Sequence, residues 1–214
     1  MSKSDREYRN MVMEIPTAEE GTAEESKIVR GYASTFNEPY TLYEDDNWRF
    51  NEVVDANAFA NTDMSDVIMQ YDHEGRVFAR KSNNTLTVTP DNKGLLIEAN
   101  LGGTELGRQL YDEIEGGYTN KMSFGFTVDG EDILDTKDED GKALTVRTIT
   151  SVRKLYDVSA VSLPANDATS ISVRSLTDGE IERIRAERLE AEERELARKR
   201  IEVRARAIQS GGNK

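Results

Sequence analysis

Between residues 10 and 163, short apolar stretches are broken at close intervals by Gly, Asn, Asp and Pro, a pattern that predicts strands rather than long helices. Strands are expected at 10–15, 27–35 and 67–71. A pair at 85–89 and 94–101 turns at PDNKG. Residues 121–128 alternate cleanly, and 131–135 and 144–151 flank a turn at Asp140 and Gly141. A last strand, 155–163, is stopped by Pro164. The stretch 40–52, which holds the single Trp48, has no regular period and reads as irregular; 55–59 reads as a short helix capped by Asp55. One helix stands out at 104–115: Leu106, Leu110 and Ile114 fall four apart, Thr104 can cap it, and Gly116 and Gly117 can end it. The class expected is α+β, mainly β: a closed or nearly closed β-barrel with peripheral helices.

From Leu176 the pattern changes. Residues 176–209 are almost wholly Glu, Arg, Ala, Leu and Ile, opened by Thr177, Asp178, Gly179 and Glu180 as a capping box. Glu190 with Arg194, Glu195 with Lys199 and Glu202 with Arg206 are spaced i,i+4 with the acid first. A long charged C-terminal helix of about 45 Å follows. Leu189, Leu196 and Val203 repeat every seven, but the companion heptad positions hold Ala186, Glu193 and Arg200, half a coiled-coil seam. Two readings stand, a solvated charged helix and a docking arm. The predicted organisation is a folded domain at 1–175, with a mobile polar loop at 16–26, and a helical arm at 176–214.

Charge separates the same regions. The chain of 214 residues carries 28 Lys and Arg against 41 Asp and Glu, net −13. Residues 178–206 hold nine of each sign, so the acidity lies in the folded region. An acidic domain argues against binding a phosphate backbone, so no nucleic-acid partner is expected. The absence of Cys removes disulfides, thiolate metal sites and cysteine nucleophiles, and one His cannot build a multi-histidine metal site; no cofactor is expected. No apolar run is long enough to cross a membrane and the N-terminus lacks a signal-peptide core, so a soluble protein is expected.

Three residues are candidates for chemistry. His73, the sole imidazole, ends VIMQYDH and would share a strand face with Val67, Met69 and Tyr71 if that strand continued. Ser123 lies in KMSFGFTV, where Met122, Phe124, Phe126 and Val128 form a bulky face and Ser123, Gly125 and Thr127 a small one that leaves room for a substrate backbone. Lys121 shares the small face and keeps a Ser–Lys dyad open. Asp157 interrupts an apolar strand, where a carboxylate needs a partner. The blander alternatives are a surface turn histidine, a strand serine facing solvent and an outward-facing aspartate.

Taken together, IVRGYASTFNEPY, VVDANAFANT, the His73 segment, KMSFGF and LYDVSAVSLPAN, in that order, resemble the prohead protease family of tailed bacteriophages over roughly residues 11–174. That family is related in fold to the herpesvirus maturational protease, assemblin. The resemblance implies a herpesvirus-protease-like barrel and a serine endopeptidase, with Ser123 as nucleophile, His73 as general base and Asp157 as the third member. The herpesvirus enzymes use a second histidine in that third role, which this chain lacks. Their arginine-bearing loop has no matched segment here. The resemblance further implies action inside the immature capsid in the host cytoplasm, on the major capsid protein's scaffolding segment and then on the chain itself. The herpesvirus relatives act as dimers, so a homodimer is one expectation. The competing expectation is a non-catalytic scaffolding protein that retains the fold; an acidic DNA mimic would explain the charge but not the MSFGF strand.

Overall fold

The computed structural model describes residues 6–12, 27–162 and 178–211. Among these residues ten strands and two α-helices follow in the order β1 (Glu7–Val12), β2 (Ile28–Thr35), β3 (Tyr40–Glu44), β4 (Trp48–Val54), β5 (Ile68–Tyr71), β6 (Glu74–Arg80), β7 (Leu86–Pro90), β8 (Gly94–Asn100), α1 (Glu105–Glu115), β9 (Lys121–Lys137), β10 (Ala143–Val161) and α2 (Asp178–Gly211). The class is α+β, mainly β. The expected loop at 16–26, residues 13–15 of the first strand, the stop at Pro164 and the Thr177 cap lie outside the described residues.

Seven strands share one sheet, in the order β1-β9-β10-β4-β3, with β5 and β6 joined through β10. β2, β8 and β7 form a second sheet. No ladder links the two sheets among the described strands, so the hydrogen bonding does not run round a single closed ring. Both sheets nevertheless feed one core. Met122, Phe124, Phe126, Leu155 and Val158 of the large sheet bury with Val29, Leu95 and Ile97 of the small one, and α1 adds Leu110 and Ile114. Leu106, expected on the buried face of α1, is exposed, and Gly107 is buried in its place. A Cβ at Gly107 would lie 2.2 Å from the Leu101 carbonyl oxygen, so the helix packs against that backbone where only glycine fits. Thr104 does cap the helix, accepting the Gly107 N–H at 3.0 Å.

The frame that positions everything else is the hairpin of β9 and β10, two strands of 17 and 19 residues. Each merges two strands that the sequence pattern separates, because register shifts between Ile149 and Asp157 break the alternation without breaking the ladder. One edge of β10 pairs with β9 along most of its length. The other edge takes β4 beside residues 143–149 and β5 beside 157–160, both parallel.

The stretch 40–52 is not irregular: β3 and β4 form an antiparallel pair with a register shift between Thr41 and Tyr43, which hides the period. Trp48 is buried at its start, its Nε1–H donating to Thr145 Oγ1 at 2.9 Å. The expected helix at 55–59 is a run of turns, in which the Asp55 carboxylate accepts the Asn57 N–H at 2.7 Å. β6 was not expected, since EGRVFAR is mostly exposed and lacks an apolar alternation.

At the far end of the hairpin, charges replace apolar side chains in the interior. Glu52 has no exposed surface; it accepts from Arg9 (Nη2, 2.6 Å), Arg147 (Nη1, 2.8 Å) and Tyr40. Arg147 also donates to Glu7 at 2.6 and 2.9 Å and to Glu131 at 2.6 Å. Four strands of the large sheet are tied through this cluster to β3, and β1 supplies two of its members.

The chain divides into two compact units, Met1–Ser175 and Leu176–Lys214. In the second, α2 runs 34 residues, about 50 Å at 1.5 Å per residue. Glu190–Arg194 (3.1 Å) and Glu195–Lys199 (2.5 Å) pair as the spacing predicts; the side chain of Arg206 lies outside the described residues. Leu189 and Leu196 are exposed. Among the described residues no helix is long and apolar enough to cross a membrane.

Candidate active site

The site is built on β10, with a neighbour on each side. Asp157 pairs with Gly125 of β9 on one edge and Ile68 of β5 on the other. Two residues on, Ser159 pairs with Ser123. Directly opposed residues share a face, so Asp157, Ser159, Ser123 and Gly125 line one side of the sheet. A bulge makes this possible. Leu155 pairs with core-facing Phe126, yet Asp157 pairs with Gly125, so Tyr156 is an extra residue in β10. Without it, Asp157 would oppose Phe124 and point into the apolar core.

His73 arrives from β5. That strand ends at Tyr71, so His73 does not share the strand face expected for it. It occupies a two-residue hairpin turn with Asp72, between the paired Tyr71 and Glu74. Both turn residues have positive φ, 47° and 59°, as the type I′ turn requires. Neither is glycine, and the left-handed region is costly for residues with a Cβ. The cost is offset by a clamp onto the end of β10. The Asp72 N–H donates to the Ala160 carbonyl at 2.9 Å, and the Asp72 carboxylate accepts the Ser162 N–H at 2.9 Å and its hydroxyl at 2.8 Å.

The three candidates therefore meet. His73 Nε2 lies 2.6 Å from Ser123 Oγ, and His73 Nδ1 is hydrogen-bonded to Asp157 Oδ1. Asp157 is only 2% exposed in its side chain, so it is not the outward-facing aspartate of the blander reading. An ionised carboxylate only accepts, so Nδ1 carries the proton and the lone pair of neutral His73 lies on Nε2, toward the serine. The nitrogen beside Ser123 Oγ is an imidazole nitrogen.

Two features escaped the sequence reading. Ser159 is fully buried and its hydroxyl donates to Asp157 Oδ1 at 3.2 Å. Arg6 lies 3.7 Å from Asp157 Oδ2. Nothing in the spacing marks either one, since Ser159 looks like a strand serine and Arg6 is remote in sequence. One expectation is corrected. The small face of β9 is not open: Ser123, Gly125 and Thr127 are all buried. Among the described residues no group of three or more acidic or histidine side chains is placed to hold a metal ion.

No curated protein and no solved structure matches the chain. A family model does: residues 13–183, about four fifths of the chain, match the model described as caudovirus prohead serine protease.

Proposed function

Since the chain belongs to the caudovirus prohead serine proteases, the phage hydrolases of capsid maturation, we propose that Ser123 is its nucleophile, His73 the general base and Asp157 the residue that orients the base. The observation that carries this reading is the His73 ring, bonded to a carboxylate through one nitrogen and to a serine hydroxyl through the other.

The steps follow from that arrangement. A serine hydroxyl is a weak nucleophile unaided. As Oγ attacks the peptide carbonyl, its proton passes to Nε2, and the imidazolium formed is stabilised by Asp157 through Nδ1–H. The tetrahedral intermediate collapses, Nε2 gives the proton to the leaving amine, and an acyl-enzyme on Ser123 remains. Water then repeats the cycle, with His73 as base, and frees the carboxylate product. Ser123 has no exposed surface, so the groups packed over it must shift before a peptide carbonyl reaches Oγ.

In this reading the substrates are the major capsid protein's scaffolding segment and finally the protease itself, inside the prohead, in a herpesvirus-protease-like fold. The helical arm at 176–214 is an assembly or targeting element. Purified chain incubated with scaffold-bearing capsid protein tests the reading. Wild type should shorten both scaffold and itself with time, while Ser123→Ala and His73→Ala stay folded and inert. Undiminished cleavage by Ser123→Ala would refute the assignment. No cleavage by any form, with normal proheads assembled on an inert chain, would favour the scaffolding alternative.

A further inference from the structure

The triad uses one oxygen of Asp157. Oδ1 faces His73 Nδ1 and accepts from Ser159. Oδ2 faces Arg6, whose Nη1 is 3.7 Å away. The same guanidinium lies over the ring of Tyr156, 3.8 Å from its centroid. Tyr156 is the bulge residue that turns Asp157 toward the site. Arg6 thus touches both the carboxylate and the residue that aims it.

Arg6 is also better held than its 39% exposure suggests. The next residue, Glu7, accepts from the buried Arg9 at 2.5 Å and from Arg147 at 2.6 Å. β1 then ladders onto β9 from Glu7 opposite Phe126 to Val12 opposite Lys121. These contacts fix the backbone from which Arg6 reaches the site. Residues 6–12 precede the segment that the family model matches, 13–183.

We propose that Arg6 is a positioning residue for Asp157, which makes the N-terminal strand a working part of the active site. The proposal rests on the triad reading above. A carboxylate this buried needs a partner for each oxygen. Arg6 supplies a charge partner to Oδ2 and holds the carboxylate plane so that Oδ1 stays on His73. Its charge also opposes the charge that His73 gains on protonation. Among the described residues, the charged and titratable groups near Asp157 include His73 from the β5–β6 turn, Arg6 from the start of β1 and the phenol of Tyr156 on β10. Lys154, also on β10, lies 5.5 Å from the Tyr156 ring centroid and pairs with Asp63 at 2.7 Å. Gly125 and Ile68, opposite Asp157 on β9 and β5, carry no charge.

The single histidine makes the test direct. The ring resonances of His73 are titrated by NMR in the full chain carrying Ser123→Ala, which prevents self-digestion. Losing the Arg6 charge removes a repulsion on the imidazolium, so the midpoint should rise above the parent's in Arg6→Gln and further in Arg6→Glu. It should stay near the parent in Arg6→Lys, and the differences should shrink at high salt. In the active chain, Arg6→Gln should lower kcat several-fold with little change in KM, and Arg6→Lys should recover most of it. Equal midpoints in the Gln, Lys and parent chains would overturn the proposal. If Arg6→Glu fails to fold by circular dichroism, the Gln and Lys pair decides. Should His73→Ala cleave like wild type, the triad reading itself fails. Inert His73→Ala with unshifted Arg6 variants removes only the role of Arg6.

Discussion

Asp72 holds Ser162 by two hydrogen bonds, one to the backbone N–H and one to the hydroxyl, at 2.9 and 2.8 Å. That grip ties a turn of two left-handed, non-glycine residues to the end of β10, and the second of those residues is His73. Asp72→Ala should therefore misplace the imidazole without dismantling the sheet. A displacement on the order of 1 Å at a reacting group costs up to about 100-fold. The expected outcome is kcat down roughly 10- to 100-fold, with KM and the far-ultraviolet circular dichroism close to wild type. Ser162→Ala, which keeps the N–H contact, should lose less.

Ser159 faces Ser123 across the β9–β10 ladder and donates to the oxygen of Asp157 that also holds His73. Ser159→Ala removes that donor from a buried carboxylate. A hydrogen bond to a charged group contributes about 1.5–3 kcal/mol. Where the loss falls on the transition state, kcat/KM should drop on the order of 10-fold or more. Steady-state kinetics on a scaffold-derived peptide checks this, and an unchanged rate would show that the hydroxyl only fills space.

The buried charge cluster sets stability rather than chemistry. Glu52→Ala would take the central carboxylate from Arg9 and Arg147, which are 2% and 4% exposed. Breaking such a network from one side costs about 3–5 kcal/mol, whereas replacing Arg9, Glu52 and Arg147 together with apolar residues of similar volume should cost far less. Urea denaturation in the Ser123→Ala background measures both.

The same cluster predicts the pH range of the fold. Burial pushes the Glu7 carboxyl up, but Arg147 and Arg9 pull it further down, and it ends below its ordinary value of 4.5. Its stabilisation is present above that value and is lost as pH falls through the lower folded one. Burial, then Glu52, push the Tyr40 phenol well above its ordinary 10.0. Its stabilisation is complete below pH 10.0 and is lost as pH rises. Urea midpoints measured across pH should fall at both ends. Glu7→Gln should flatten the acid arm and Tyr40→Phe the alkaline one.

Deleting residues 176–214 removes one compact unit and none of the site residues. The truncated chain should hydrolyse a peptide at near wild-type kcat/KM yet be incorporated less into proheads. Gel quantification of the protease in purified proheads reads the second effect, and normal incorporation would count against an assembly role for the arm.

The strands at 27–35, 85–89 and 94–101, the helix at 104–115 and the charged C-terminal helix were legible because period and turn residues are local properties. The β3–β4 pair and β6 were not. A register shift in the first and solvent exposure of the second erase the alternation that marks a strand. The expected closed or nearly closed barrel is not seen among the described residues, whose ladders form two separate sheets, a matter of pairing between residues far apart in the chain.

By itself the sequence determined which chemistry was available: one imidazole, no thiol, and a serine and an aspartate in strands of recognisable pattern. It also determined the division into an acidic folded region and a charge-balanced helix. Only the tertiary structure decided where those groups point. The bulge at Tyr156 rotates Asp157 from the core face to the site face, the Asp72 clamp holds His73 in a turn rather than a strand, and the N-terminal strand brings Arg6 to the second oxygen of Asp157. Each depends on pairing between segments up to some 150 positions apart in the chain, where a slip of one residue turns every side chain to the opposite face.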